Sequence, residues 1–202
     1  MARGFSRKGE RFVAKLDEAE RSVVVGLLSQ TRELLAPPEV PETDDPFEDL
    51  VRSWQVPDDA EGLLDEAGRR DPALERLLPP ANKQDDEAAA EFRRLTERTL
   101  RERKVAHLST ALNALEEAEG GKVSLDRDQA QALAIGLTDV RLVLGERLGL
   151  RSDEDAEELH RRLSGVAEEG DAGQVTDEAF VMAAYYDFLT WLQESVTLAL
   201  MS

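Results

Sequence analysis

The stretch from Ser124 to Leu150, SLDRDQAQALAIGLTDVRLVLGERLGL, constrains the fold more than any other part of the chain. Within it Ala130, Leu133, Ala134, Leu137, Val140, Arg141, Leu144 and Leu148 recur at three- and four-residue steps, the spacing of one helix face. Asp126 stands at the N-cap position and Asp128 adds negative charge to the first turn, where the helix dipole favours it. Gly149 is placed to end the helix in a left-handed conformation. The stripe also contains Arg141. A guanidinium on an apolar face must snorkel outward or find a partner on another element. A structural ion pair with a carboxylate outside the helix is the expectation, and a binding role is the alternative.

Around this helix the rest of the chain reads as mainly α, a bundle-like domain with a small antiparallel β element. Phe5 to Leu16 has a hairpin pattern, with a turn at Arg7-Lys8-Gly9 and polar–apolar alternation from Arg11 to Leu16. Asp17 and Glu20 form a capping-box pair at the start of a helix that runs to about Ala36, where Pro37-Pro38 ends it. Asp85 to Glu119 carries the longest helical pattern, closed by Gly120-Gly121. Lys122 to Leu125 then alternates as a short strand whose natural partner is the N-terminal hairpin. An acid-headed helix over Ser152–Ser164 and a loop over Gly165–Gly173 precede a last helix from about Thr176 almost to the end.

All eight prolines lie between positions 37 and 80, so residues 37–84 divide into short pieces inside a single domain spanning 1–202. Phe47–Trp54 and a segment opened by Asp71-Pro72 read as short helices, and PPANKQDD as a polar linker. Glu42, Asp44, Asp45, Glu48 and Asp49 form an acidic cluster, but the calcium-loop pattern is missing and caps on short helices explain it equally well.

The formal net charge of −18 argues against a general nucleic-acid binder, whose electrostatic footprint is a basic face. Two local basic groups stand out against it. Arg94, Arg98 and Arg101 share one face of the long helix, and Arg3, Arg7, Lys8 and Arg11 crowd the hairpin. Each is either a solvated surface or a contact for an acidic protein or a phosphate backbone. No cysteine is present, which removes disulfides, thiol nucleophiles and cysteine-ligated metals. No glycine-rich phosphate loop, nucleophile elbow or zinc-binding HExxH occurs, and His107 and His160 are isolated. No cofactor, metal or catalytic residue is therefore expected. The N-terminus has no apolar run and no stretch has the length of a membrane span, so a cytoplasmic protein is the default.

LTDVRLVLGERLGL, together with FSRKGERFVAKLDEAE and YYDFLTWLQESV, resembles the actinobacterial oxidative stress regulator (AosR) family, whose domain is of unknown function. The resemblance implies a non-enzymatic regulator that meets transcription machinery, a stress sigma factor, by protein–protein contact. It also implies oxidant sensing through closely spaced cysteines, which this chain lacks. Direct DNA binding through a local basic stripe is the competing reading, and an enzyme acting on a small molecule is a distant third. Tyr185, Tyr186, Phe188, Leu189, Trp191 and Leu192 wrap more than half of the last helix with apolar surface. That pattern suggests either a homodimer through this helix or burial against the first helix of the same chain.

Overall fold

The computed structural model describes residues 2–36, 71–79, 86–118, 120–152, 154–155, 161 and 177–202. The expected Phe47–Trp54 helix, the acidic cluster at 42–49, most of the linker and most of the segment 152–173 lie outside the described residues, as do the side chains of 86–95 and 177–179.

Two strands open the chain, β1 (Arg3–Lys8) and β2 (Arg11–Lys15). They are joined at Gly9-Glu10, so Lys8 pairs with Arg11. The turn thus falls later than the Arg7-Lys8-Gly9 pattern suggests, with Lys8 still in the ladder. Helix α1 (Glu18–Leu35) follows, and its first turn is closed by the expected capping box: Glu20 N–H donates to Asp17 Oδ1 at 2.9 Å and Asp17 N–H to Glu20 Oε2 at 2.8 Å. Asp71 caps the short helix α2 (Pro72–Leu77), whose proline sits where an amide would be unsatisfied anyway. Then come α3 (Asp86–Glu116), β3 (Lys122–Leu125), α4 (Arg127–Arg147) and α5 (Asp177–Met201). Asp126 and Gln129 form a second capping box at the head of α4, and Gly149, at φ 71°, follows its end.

The sheet is antiparallel in the order β1-β2-β3, as the alternation in both segments predicts. One face is apolar: Phe5, Phe12, Ala14, Val123 and Leu125 are all buried. They join a core built from every helix described, with α4 packed on α1, α2, α3 and α5. Helices α1 and α3 run antiparallel and are tied at both ends. Arg21 donates to the Leu115 carbonyl at 3.1 Å, which also accepts from the Ala118 amide, and Arg101 donates to the Leu35 carbonyl at 3.0 Å, so both bonds fall on last-turn acceptors of a helix.

Among the described elements helix α5 packs chiefly on α4 and on β1 rather than on α1. Among the described residues its cover is therefore α4 together with the sheet. The Phe5 amide donates to Ser195 Oγ at 3.0 Å, and Gly4 lies so close that a Cβ there would stand 2.7 Å from Ser195 Cβ. At the other end of the sheet Gly121 combines φ 75° with a Cβ position only 2.8 Å from the Leu16 carbonyl oxygen. This carbonyl-proximal, left-handed site is open to glycine alone. Gly121→Ala should therefore cost about 1–3 kcal/mol, read as a lower urea midpoint with an unchanged slope.

Candidate functional site

The three strands place outward-facing side chains in cross-strand rows. Lys15 of the central strand pairs with Arg3 on one side and Lys122 on the other. Val13 pairs with Ser6 and Ser124, and Arg11 pairs with Lys8. Arg3, Lys8, Arg11, Lys15 and Lys122 are all exposed, while the intervening Phe12, Ala14 and Val123 face the core. The register slips between Arg3 and Ser6, and this irregularity is what returns Arg3 to the outer face beside Lys15.

Like charges directly opposite each other weaken a sheet, so this arrangement is unfavourable by itself. Several cations elsewhere in the molecule are matched: Arg76 with Glu146, Arg98 with Glu102, Arg101 with Glu97, Lys104 with Asp139 and Arg147 with Asp71. Among the described residues none of the five sheet cations has an ion-pair partner. Lysines on exposed edge strands commonly guard against aggregation. That explanation does not reach Arg11 and Lys15, which stand on the central strand, where there is no edge to guard. Arg11 is also fixed in place: Nε donates to Ser124 Oγ at 3.3 Å and Nη2 to the Ser124 carbonyl at 2.5 Å. A shallow depression runs over Arg3, Ser6, Lys8, Val13, Lys15 and Lys122.

The hairpin residues expected as one basic group are divided by the sheet. Arg7 pairs with Phe12 and so belongs to the opposite side, where it donates to the carbonyls of Gly9 and Ser202. Lys15 and Lys122 join the outer face instead. Their contribution was readable only by aligning the two predicted strands, since they lie far apart in sequence.

The stripe expected on the long helix is not a row of free cations. Arg98 pairs with Glu102 and Arg101 with Glu97, each at 2.9 Å and one helical turn apart, and Arg101 is half-buried against the end of α1. The Arg94 side chain is outside the described residues. Lys104 turns inward to Asp139 of α4, at 2.5 Å.

Arg141 does need a partner on another element, but the partner is neutral. Nη1 donates to Gln193 Oε1 at 2.6 Å and Nη2 to the Tyr186 hydroxyl at 3.2 Å, with the guanidinium carbon 5.1 Å from the Tyr186 ring centroid. Gln193 Nε2 in turn donates to Thr138 Oγ1 at 2.6 Å. The expected carboxylate is replaced by an amide and a phenol because α5, the element facing Arg141, presents those groups there. Deleting Arg141 strands no anion, so the 3–5 kcal/mol cost of breaking a buried ion pair does not apply.

The six residues expected at a dimer contact also separate. Leu189 and Leu192 are fully buried in the core and so are not free to meet a second chain, while Tyr186 is half-buried beneath Arg141. Phe188 stacks on Trp191 at 5.9 Å, and the exposed apolar surface of α5 is instead Phe180, Val181, Trp191, Leu198 and Met201. Tyr185 is half-buried against the core.

A family model described as Domain of unknown function (DUF2017) matches residues 2–200. The chain belongs to this family. No curated protein and no solved structure matches it. The DUF2017 match takes in both the basic sheet and the helices behind it. Among the described residues no group of three or more histidines and carboxylates is placed to hold a metal ion, and no helix is long and apolar enough to cross a membrane.

Asp139 of this DUF2017 domain is shifted by its surroundings. Asp139 is buried, one of its oxygens has no hydrogen-bond partner, and burial pushes its carboxyl above the ordinary 3.8 although Lys104 and His107 pull the other way. A carboxyl raised on folding contributes its stability fully below the unfolded value, and that contribution is lost as pH rises through the folded value. Asp139→Asn should remove this slope. The stability of the variant minus that of the native protein should grow as pH rises from about 4 to 7, measured by urea unfolding.

Proposed function

We propose that this chain is a non-enzymatic regulatory protein that works by contact with an acidic surface of a protein partner, through the outer face of the β1-β2-β3 sheet. The observation that carries the reading is the set of five cations on that face, without an ion-pair partner among the described residues, in a chain of net charge −18. A fold that pays the repulsion of Arg3, Lys15 and Lys122 in one row gains it back when an anion arrives. Local charge of this kind steers encounter even where the global charge is opposite.

Within the DUF2017 family, the resemblance of LTDVRLVLGERLGL to oxidative stress regulators makes a component of the transcription machinery, a stress sigma factor, the expected partner. Such regulation would run without a thiol switch, since cysteine is absent. The cytoplasm is the compartment in which that partner is met. The second reading, direct contact with DNA, uses the same cations; contacts of either kind weaken as salt rises, so the two are separated by which of them, duplex DNA or the protein partner, is bound.

Lys15→Glu with Lys122→Glu tests the surface without touching the core, because both side chains are exposed. Binding to a sigma factor of the source organism, followed by calorimetry, should fall at least about tenfold, the scale of one or two lost charge contacts. Unchanged binding would remove the sheet face from the mechanism. Retention of duplex DNA by the native protein, with loss in the variant, would favour the second reading.

Homodimerisation is a separate proposal, confined to the part of α5 that remains exposed at Trp191, Leu198 and Met201. Light scattering at micromolar concentration should then give twice the chain mass, and a mass near 22.4 kDa would exclude it.

A further inference from the structure

The basic face is not uniformly charged. At its centre stands Val13, half-buried, with Ser6 and Ser124 beside it in register. Lys8 and Arg11 lie to one side of that neutral row, and Arg3, Lys15 and Lys122 to the other. Successive same-face residues of a strand are about 6.6 Å apart, so Arg11, Val13 and Lys15 present cation, apolar group and cation at even steps along β2. An extended chain lying over the strand repeats that step with its own alternate residues.

We infer that this face takes an extended acidic protein segment that places one apolar side chain between its carboxylates, the apolar group on Val13 and the acids on the two cationic rows. The inference rests on the reading of this face as the contact surface and adds what the partner has to look like. A small apolar centre inside a polar rim is the usual anatomy of a protein interface. A phosphodiester backbone offers Val13 nothing, and the outward rows contain no aromatic side chain on which bases could stack. The anchoring of Arg11 on Ser124 lowers the ordering cost of one of the charge contacts.

The test uses the full chain and three fluorescein-labelled probes read by anisotropy at low salt. The first is a peptide centred on Asp-Asp-Ser-Leu-Ser-Asp-Asp, the second has serine in place of its leucine, and the third is a single-stranded oligothymidylate of the same charge. The leucine peptide should bind about tenfold more tightly than the serine peptide, the effect of partly burying one apolar side chain. Val13→Thr, which keeps the β-branched shape, should abolish that preference and leave the serine peptide unaffected, with an unchanged melting temperature as the control for folding.

Equal binding of the two peptides, both lost in the Lys15→Glu, Lys122→Glu variant, would overturn the inference while the functional reading stood. Tighter binding of the oligothymidylate than of the leucine peptide would overturn it in favour of nucleic acid. Peptide binding that the charge reversal leaves unchanged would overturn both.

Discussion

Three helices meet at Gly136. A Cβ built there would stand 3.1 Å from Leu28 Cδ2 of α1 and 3.3 Å from Leu108 Cδ2 of α3, so the absence of a side chain lets both leucines close onto α4. Leu28, Leu108, Leu133 and Leu137 are all fully buried around this point. The polar contacts nearby depend on it. Lys104 lies one turn from Leu108 on α3, and Asp139 lies one turn from Gly136 on α4, so the close approach of the backbones brings the amine to the carboxylate. The pair is no independent source of stability, since burial holds the Asp139 carboxyl above its ordinary value despite the nearby cation. Apolar packing drives the contact, and the ion pair makes the burial of Asp139 tolerable.

The same helix shows how far a sequence can specify a contact. Spacing alone placed Arg141 on the packed side of α4 and required a partner from elsewhere. The identity of that partner depends on which residue of α5 comes to face it, and Gln193 is 52 positions away. Helical periodicity contains no such information. Local features were legible because their determinants lie within a turn: the Asp17–Glu20 capping box, the Asp126 cap, the Asp71 cap before Pro72 and the glycines at 121 and 149. The ion pairs of α3 belong with them. Glu97 and Arg101, and Arg98 and Glu102, are four apart, so the neutralisation of the apparent basic stripe was readable from spacing.

The outer face of the sheet needed more than local pattern. Strand side chains alternate with a period of two, so a single-residue shift in the ladder exchanges the two faces. The turn at Gly9-Glu10 sends Arg7 to one side and Lys8 to the other. The pairing of β3 with β2 then adds Lys122, more than a hundred residues distant, to the row that holds Lys15. Neither strand alone contains the face, although each was recognisable as a strand.

The last member of that row depends on packing at the far side of the sheet. With the register of Ser6 and Lys8 continued unbroken, Arg3 would stand opposite Leu16, whose side chain is fully buried in the core. The slip between Arg3 and Ser6 prevents this, and it occurs where α5 presses on β1, with Ser195 accepting from the Phe5 amide and its Cβ filling the space above Gly4. Ser195 sits one turn before Ala199 and next to the buried Val196, so the apolar seating of α5 fixes its height against β1. The charged surface is thus set by the hydrophobic core: α4 positions α5, α5 holds the irregular end of β1, and that irregularity turns Arg3 outward beside Lys15.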